Sequence, residues 1–215
     1  MYDTDTRWDR LGEILVRYST ETAPGDRVLI IMRETESFAL ARACYRHAVR
    51  AGAYPQTLFY SAFFQRDLLL SGTDEQSEWV PELYVDAMNW ADVCIDLRGA
   101  RNLYEYDDIS PERLSAHRKA EGQISALRTA NTKWTISRIP NEAMAQQAGT
   151  SLDAMFDVFF NASLLDWEKE RERYDAWLKQ LQGTESIRIV GPETDLTFST
   201  AGRTYVAEDG HINIP

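Results

Sequence analysis

The chain has 215 residues, 44% of them hydrophobic, with six Trp and ten Tyr, a composition that excludes a disordered polymer and allows a sizeable core. Its formal net charge of −11 argues against nucleic acid, which needs a basic footprint, and against an anionic membrane surface. No apolar run reaches the roughly 18 residues of a membrane span, and the opening MYDTDTRWDR lacks the basic-then-apolar layout of a signal peptide. Cys44 and Cys94 lie inside apolar segments and read as buried, reduced thiols. The expected compartment is the cytoplasm, with no nucleic-acid or membrane partner.

The elements follow in order. Residues 7–22 place Trp8, Leu11, Ile14, Leu15 and Tyr18 on one helical face, and Pro24-Gly25 ends that helix. The run RVLIIM, Arg27 to Met32, fits a strand covered on both faces. Residues 37–51 predict a helix with Phe38, Ala41, Tyr45, Ala48 and Val49 inward and Gly52 as its stop. PQTLFY, from Pro55, is a second strand. Residues 61–91 predict a helix in two pieces, broken near Ser71-Gly72. Its second piece carries a stripe of Trp79, Leu83, Tyr84, Ala87, Met88 and Trp90 that reads as core or interface. DVCIDL, from Asp92, is a third strand. Ser110-Pro111-Glu112 opens a helix with an N-cap, a Pro at the first position and an acid in the first turn.

KWTISRI, from Lys133, is a fourth strand. Short helices follow at 142–147 and 152–163. A charged helix over 167–182 is expected to bury Tyr174, Trp177, Leu178 and Leu181. Ile187 to Val190 is a fifth strand. Residues 191–215 predict a β-ribbon: Leu196 and Phe198 alternate with polar residues, Ala201-Gly202 turns, and Thr204-Tyr205-Val206 returns. Repeated strand–helix alternation means an α/β domain, doubly wound, with a mostly parallel sheet and flanking helices. The expected division is 1–190 as that domain and 191–215 as a ribbon leading toward a second, missing domain.

The chemistry is marked by what this pattern lacks. MRETES follows the first strand, where a dinucleotide site needs glycines, and there is no P-loop, GxSxG, HExxH or CxxC. His47 and His117 fall mid-helix and read as surface residues. His211 sits in a terminal turn and reads as a surface loop. The run EKERER, from Glu168, reads as a solvated helix face. The loop NLYEYDD follows the carboxyl end of a strand, where open α/β sheets bind ligands, so Tyr104, Glu105, Tyr106 and Asp107 are candidates to line a cleft. The residues themselves assign no catalytic, cofactor-binding or metal-binding side chain.

Several stretches together carry a resemblance. They are LGEILVRYSTETAPGDRVLI from Leu11, the Pro111-Glu112-Arg113-Leu114 helix start, WTISRIPNEAMAQQAGTSLDAMFDVFFNASLLDW from Trp134, and TDLTFSTAGRTYVAEDGHINIP from Thr194. In order and spacing they resemble the N-terminal domain of the M29 family of metalloaminopeptidases, the aminopeptidase T type. The resemblance implies a two-domain, dimeric enzyme in which a divalent metal pair, zinc or cobalt class, activates water to cleave N-terminal residues from peptides. It implies that the first metal ligand follows the Asn-x-Pro that here is Asn213-Ile214-Pro215. No ligand transfers to this chain, and its expected role is scaffold and chamber wall, inactive alone. The same fold also resembles the front half of a ring-cleaving non-haem iron dioxygenase. A standalone dimerisation module and a small-molecule site near Arg98 to Asp108 are the remaining readings.

Overall fold

The computed structural model describes residues 5–211 and, as backbone, residues 213–214. The first four residues of the signal-peptide reading and Pro215 of the Asn-x-Pro reading lie outside the described residues. Two compact units are formed, 1–164 with 210–215, and 165–209.

The larger unit is built on a parallel sheet of β1 (Arg27–Arg33), β2 (Tyr54–Tyr60), β3 (Val93–Arg98), β4 (Lys133–Arg138) and a last short strand (Asn213–Ile214). In space β2 lies outside β1, followed by β3, β4 and that last strand. The order therefore reverses between β1 and β3. Side chains alternate along each strand. Leu29, Ile31 and Cys94 face one side, where Met88, Ala91, Ile124 and Leu127 pack on them. Val28, Ile30 and Ile95 are wholly buried as well, so the sheet is covered on both faces.

On that second face stand α1 (Thr6–Glu13), continued by a wider π-helical turn over Ile14–Ser19, and α2 (Phe38–Arg50). The wider turn brings Val16 and Ser19 inside along with Leu15. The inward face of α2 is not the expected one. Ala39, Leu40, Ala41, Ala43, Cys44, His47 and Ala48 are buried, while Phe38, Tyr45 and Val49 are exposed. Close approach explains the choice of small residues: a Cβ added at Gly12 of α1 would lie 2.7 Å from the Cβ of Ala43. Cys44 and Cys94 are both buried and free.

The first face carries α3 (Ala62–Ser71), α4 (Asp74–Glu78), α5 (Glu82–Trp90) and α6 (Pro111–Asn131). The segment between β2 and β3 is thus three helices, not two. Thr73 supplies a capping box for α4, and Pro81 precedes α5. Of the aromatic stripe only Met88 is buried; Trp79 and Leu83 are exposed. Ser110 caps α6 by accepting a hydrogen bond from the Arg113 backbone. Then α7 (Glu142–Gln147) and α8 (Leu152–Ser163) follow β4, and Phe156, Phe159 and Phe160 of α8 surround Trp8.

The smaller unit holds α9 (Trp167–Leu181) and an antiparallel ribbon of β5 (Ser186–Gly191) and β6 (Thr194–Ser199). The ribbon is displaced by one strand from the sequence reading. The expected fifth sheet strand, Ile187 to Val190, is its first arm, and Thr204 to Val206 forms no strand. Pro192 and Glu193 make the tight connection, with Glu193 at a φ of 53°. The fifth strand of the parallel sheet is instead Asn213–Ile214; β5, β6 and Asn213–Ile214 (β7) complete the strand order. Only Trp167 of α9 is buried, and Trp177 is 55% exposed against the burial expected of it.

Candidate functional site

A cavity of about 500 Å³ opens at the carboxyl ends of β1, β2 and β3. Its place is the reversal of strand order between β1 and β3, where the connections leave in opposite directions and part to form a crevice. Its wall of charge comes from Arg33, Glu34, Arg98, Glu121 and Arg128, and its apolar wall from Tyr60, Trp79, Tyr84, Met88 and Ile124.

At its base Asp96 is wholly buried in the strand interior. A buried carboxylate is tolerated only with partners. Arg33 Nε donates to it at 2.8 Å, Arg98 donates through Nε and Nη2 at 3.3 and 3.2 Å, and Arg128 Nη1 donates at 3.1 Å. Register explains the convergence: Ile31 pairs with Asp96 and Arg33 with Arg98 on adjacent strands, all on the face that α6 covers. Three guanidinium groups share this one carboxylate, and Glu34 and Glu121 in the same wall balance the other two formal charges. Burial opposes the charge of Arg33, yet Asp96 overrides it and holds the guanidinium firmly protonated. For Arg128 burial is the stronger influence, and its proton affinity is lowered.

The same face of α6 presents His117, Glu121 and Arg128, at helical spacings of four and seven residues. Tyr60 donates its phenolic hydrogen to Glu121. Burial, then the neighbouring Glu121 carboxylate, pushes the Tyr60 pKa well up, so the proton stays on the phenol. Burial likewise pushes Tyr106 up to about 12. Arg33 lies over the Tyr60 ring, 4.4 Å from its centre.

Glu34 occupies the position directly after β1 with a φ of +69°, a conformation that costs a non-glycine residue on the order of 1–3 kcal/mol. The twist turns its carboxylate onto the start of α3, where it accepts hydrogen bonds from the Ser61 hydroxyl and the Ala62 backbone. Gly99 closes the same corner; a Cβ there would stand 3.0 Å from the Cβ of Glu36 and 3.1 Å from the Arg33 carbonyl oxygen.

The cleft predicted after the third strand is therefore present, but its lining differs from the expected one. Tyr106 lines it, joined by Asn102 and Leu103. Tyr104 is 71% exposed, Glu105 lies 3.7 Å from the Arg66 guanidinium, and Asp107 is exposed. His47 and His117 are both buried, contrary to the surface reading. His47 Nε2 lies 3.3 Å from Asp9. His117 directs Nδ1 to the Ser77 carbonyl oxygen at 3.3 Å, with Nε2 4.0 Å from Glu121. His211 stands against the Tyr18 ring, with Nε2 3.6 Å from Glu21. The Arg33, Asp96, Arg98 and Arg128 cluster escaped the sequence reading. Its signal was available: a charge at every second position of an otherwise apolar strand, as in CIDLR, must be neutralised by something.

Metal ligation can be tested on the donors present. Among the described residues no three His, Cys, Asp or Glu side chains converge as a metal site requires. The histidines stand beside different carboxylates: His47 by Asp9, His117 by Glu121 and His211 by Glu21. These donors do not fit a metal pair, and no step through a metal is assigned to them.

Strand order, the crevice at its reversal and the flanking helices define an α/β domain with a cleft at its strand ends. The chain belongs to the M29 family: the family described as thermophilic metalloprotease (M29) matches residues 4–215. In structure it is similar to wild-type AmpT from Thermus thermophilus, at a TM-score of 0.76 and 18% identity. That match covers 97% of this chain and 59% of AmpT, and it shows the fold. A LacI-family transcription repressor from Corynebacterium glutamicum aligns over 63% of this chain and 43% of its own at 14% identity, and the CurK enoyl reductase over 74% and 50% at 13%. Their TM-scores, 0.33 and 0.30, are too low to carry an argument. No curated protein sequence matches the chain. No helix among the described residues is long and apolar enough to cross a membrane.

Proposed function

We propose that this chain is the front part of a metal-dependent aminopeptidase, acting as scaffold and chamber wall for a catalytic part that carries the zinc- or cobalt-class metal pair. Membership of a metalloprotease family and the AmpT-like fold support the reaction class. The span of 59% of AmpT supports the reading of a part.

One observation carries it furthest. In the ribbon, Ile187 pairs with Phe198 and Ile189 with Leu196, so four apolar side chains share one face. Arg188 and Asp195 form an ion pair from the other face. Yet Ile189, Leu196 and Phe198 are 49%, 52% and 41% exposed. A two-stranded ribbon with a bare apolar face is marginal in water and calls for a covering layer. The proposed cover is the catalytic part of the same polypeptide. The assembled enzyme is proposed to be a cytoplasmic homodimer acting on peptides.

The test is direct. The purified 215-residue chain, supplied with Zn²⁺ or Co²⁺, is given leucine p-nitroanilide. The expected rate is that of the protein-free blank. Robust metal-dependent release of nitroaniline by this chain would falsify the proposal.

A further inference from the structure

The cavity at the strand ends has a chemistry of its own that the peptidase reading does not use. We propose that it binds a small aromatic carboxylate, with the oxyanion held by Arg33 and Arg98 and the ring lying among Tyr60, Trp79 and Tyr84.

Four observations converge on it. The first is charge. Arg33, Arg98 and Arg128 gather around Asp96, while Glu34 and Glu121 of the same lining, which balance the other two formal charges, are held by Ser61 with Ala62 and by Tyr60. Arg33 commits Nε to Asp96, and Arg98 commits Nε and Nη2. Both side chains retain exposure, 31% and 37%, on the cavity side of the cluster. Planar N–H groups held in place by Asp96 are suited to a second carboxylate.

The second is a pair of orphaned polar atoms. Arg128 Nε and His117 Nε2 are buried without a hydrogen-bond partner, and both residues line the cavity. Their side chains are 8% and 9% exposed. A buried polar atom is costly unless something meets it. Arg128 Nε–H belongs to a guanidinium that lies over the Trp134 ring, 4.6 Å from its centre, behind Arg33 and Arg98. The Ser77 carbonyl can only accept, so His117 donates to it through Nδ1, and His117 Nε2 lies 4.0 Å from Glu121. Eleven residues of α6 separate His117 from Arg128, a rise of about 16 Å, so the two atoms mark separate parts of the lining.

The third is the wall between those parts. Tyr60 and Tyr84 meet edge to face with ring centres 6.4 Å apart, and Trp79 stands at the rim with half its surface exposed. A cavity of about 500 Å³ with aromatic sides and a few placed polar groups has the make-up of a small-molecule site. The fourth is Gly122. It lies in the interior of the 21-residue α6, where glycine is the poorest non-proline helix former, and it lines the cavity with nothing within 4 Å of where its Cβ would stand. The position is exposed, so a side chain there would stand at the mouth of the cavity.

The experiment uses the 215-residue chain and isothermal titration with N-acetyl-L-tyrosine, which offers a carboxylate, a ring and a far-end hydroxyl. Binding is expected, weakened at least tenfold for N-acetyl-L-tyrosinamide, which lacks the charge. Arg98→Gln should weaken it by a similar factor. Because that change also disturbs Asp96, Gly122→Leu serves as a second variant. It places a large side chain of a better helix former at the cavity mouth, so binding should weaken at least tenfold while the melting temperature is kept or raised. The proposal is overturned if the acid and the amide bind alike, if neither binds, if Gly122→Leu binds as the parent does, or if inorganic phosphate binds as tightly as N-acetyl-L-tyrosine. None of these readouts requires a metal or peptide hydrolysis, so the site and the peptidase reading stand or fall separately.

Discussion

Asp96 shows how one side chain organises the crevice. It interrupts the apolar run of β3, has no exposure, and accepts hydrogen bonds from three arginines. Buried ion pairs gain little over a well-packed apolar cluster, but removing one partner leaves uncompensated charge. Asp96→Asn should therefore destabilise the protein by roughly 3–5 kcal/mol, the range for a broken buried pair. Urea unfolding followed by tryptophan fluorescence would measure it; a midpoint unchanged from the parent would contradict the role assigned to Asp96. At this scale the sequence was least legible. Arg33, Asp96, Arg98 and Arg128 come from three elements far apart in the chain, and only strand register and the phase of α6 bring them together. The histidines misled for a related reason. His117 lies beside Arg118 and Lys119 in sequence, yet it is one of the few buried residues of α6, and His47 shares the buried alanine face of α2.

At the scale of the element, the first four sheet strands and most helices were legible, while helix phase and the pairing of the last strands were not. The β-branched run of β1, the Ser-Pro-Glu start of α6 and the Asn and Ser caps of α7 and α8 each announce themselves locally. For α2 the large residues suggested the inward face, yet the alanine face is inward, because α1 approaches too closely for anything larger. Gly12 is the contact point: a Cβ at that position would stand 2.9 Å from the Ala43 backbone carbon. Gly12→Ala should lose about 1–3 kcal/mol to overpacking despite the better helix propensity of alanine. Differential scanning calorimetry would show a lowered melting temperature, and a raised one would mean that the two helices can separate at no cost. For the ribbon, the strand was read correctly and its partner was not. Ile187 to Val190 has the composition of a sheet strand, and nothing local says that it pairs with Leu196 and Phe198 instead.

At the scale of the whole molecule, the M29 resemblance rested on the order of many weak segments, and family membership bears it out. The crevice also followed from the fold class, since open α/β sheets bind at the carboxyl ends of their strands. Local patterns did not reveal the division at residues 164 and 165 or the uncovered apolar face of the ribbon. Such a face depends on what surrounds it and not on the strand that bears it. On the proposed reading it is also what ties this chain to a larger protein, as a scaffold part whose ribbon is covered by a catalytic part.

The mass of the protein in its own cells tests that claim most directly. An immunoblot raised against this 24.7 kDa chain is expected to give a band well above that mass, in keeping with the 59% of AmpT that the chain spans. A single band at 24.7 kDa would contradict the claim, because the ribbon would then have no catalytic part of its own polypeptide to cover it.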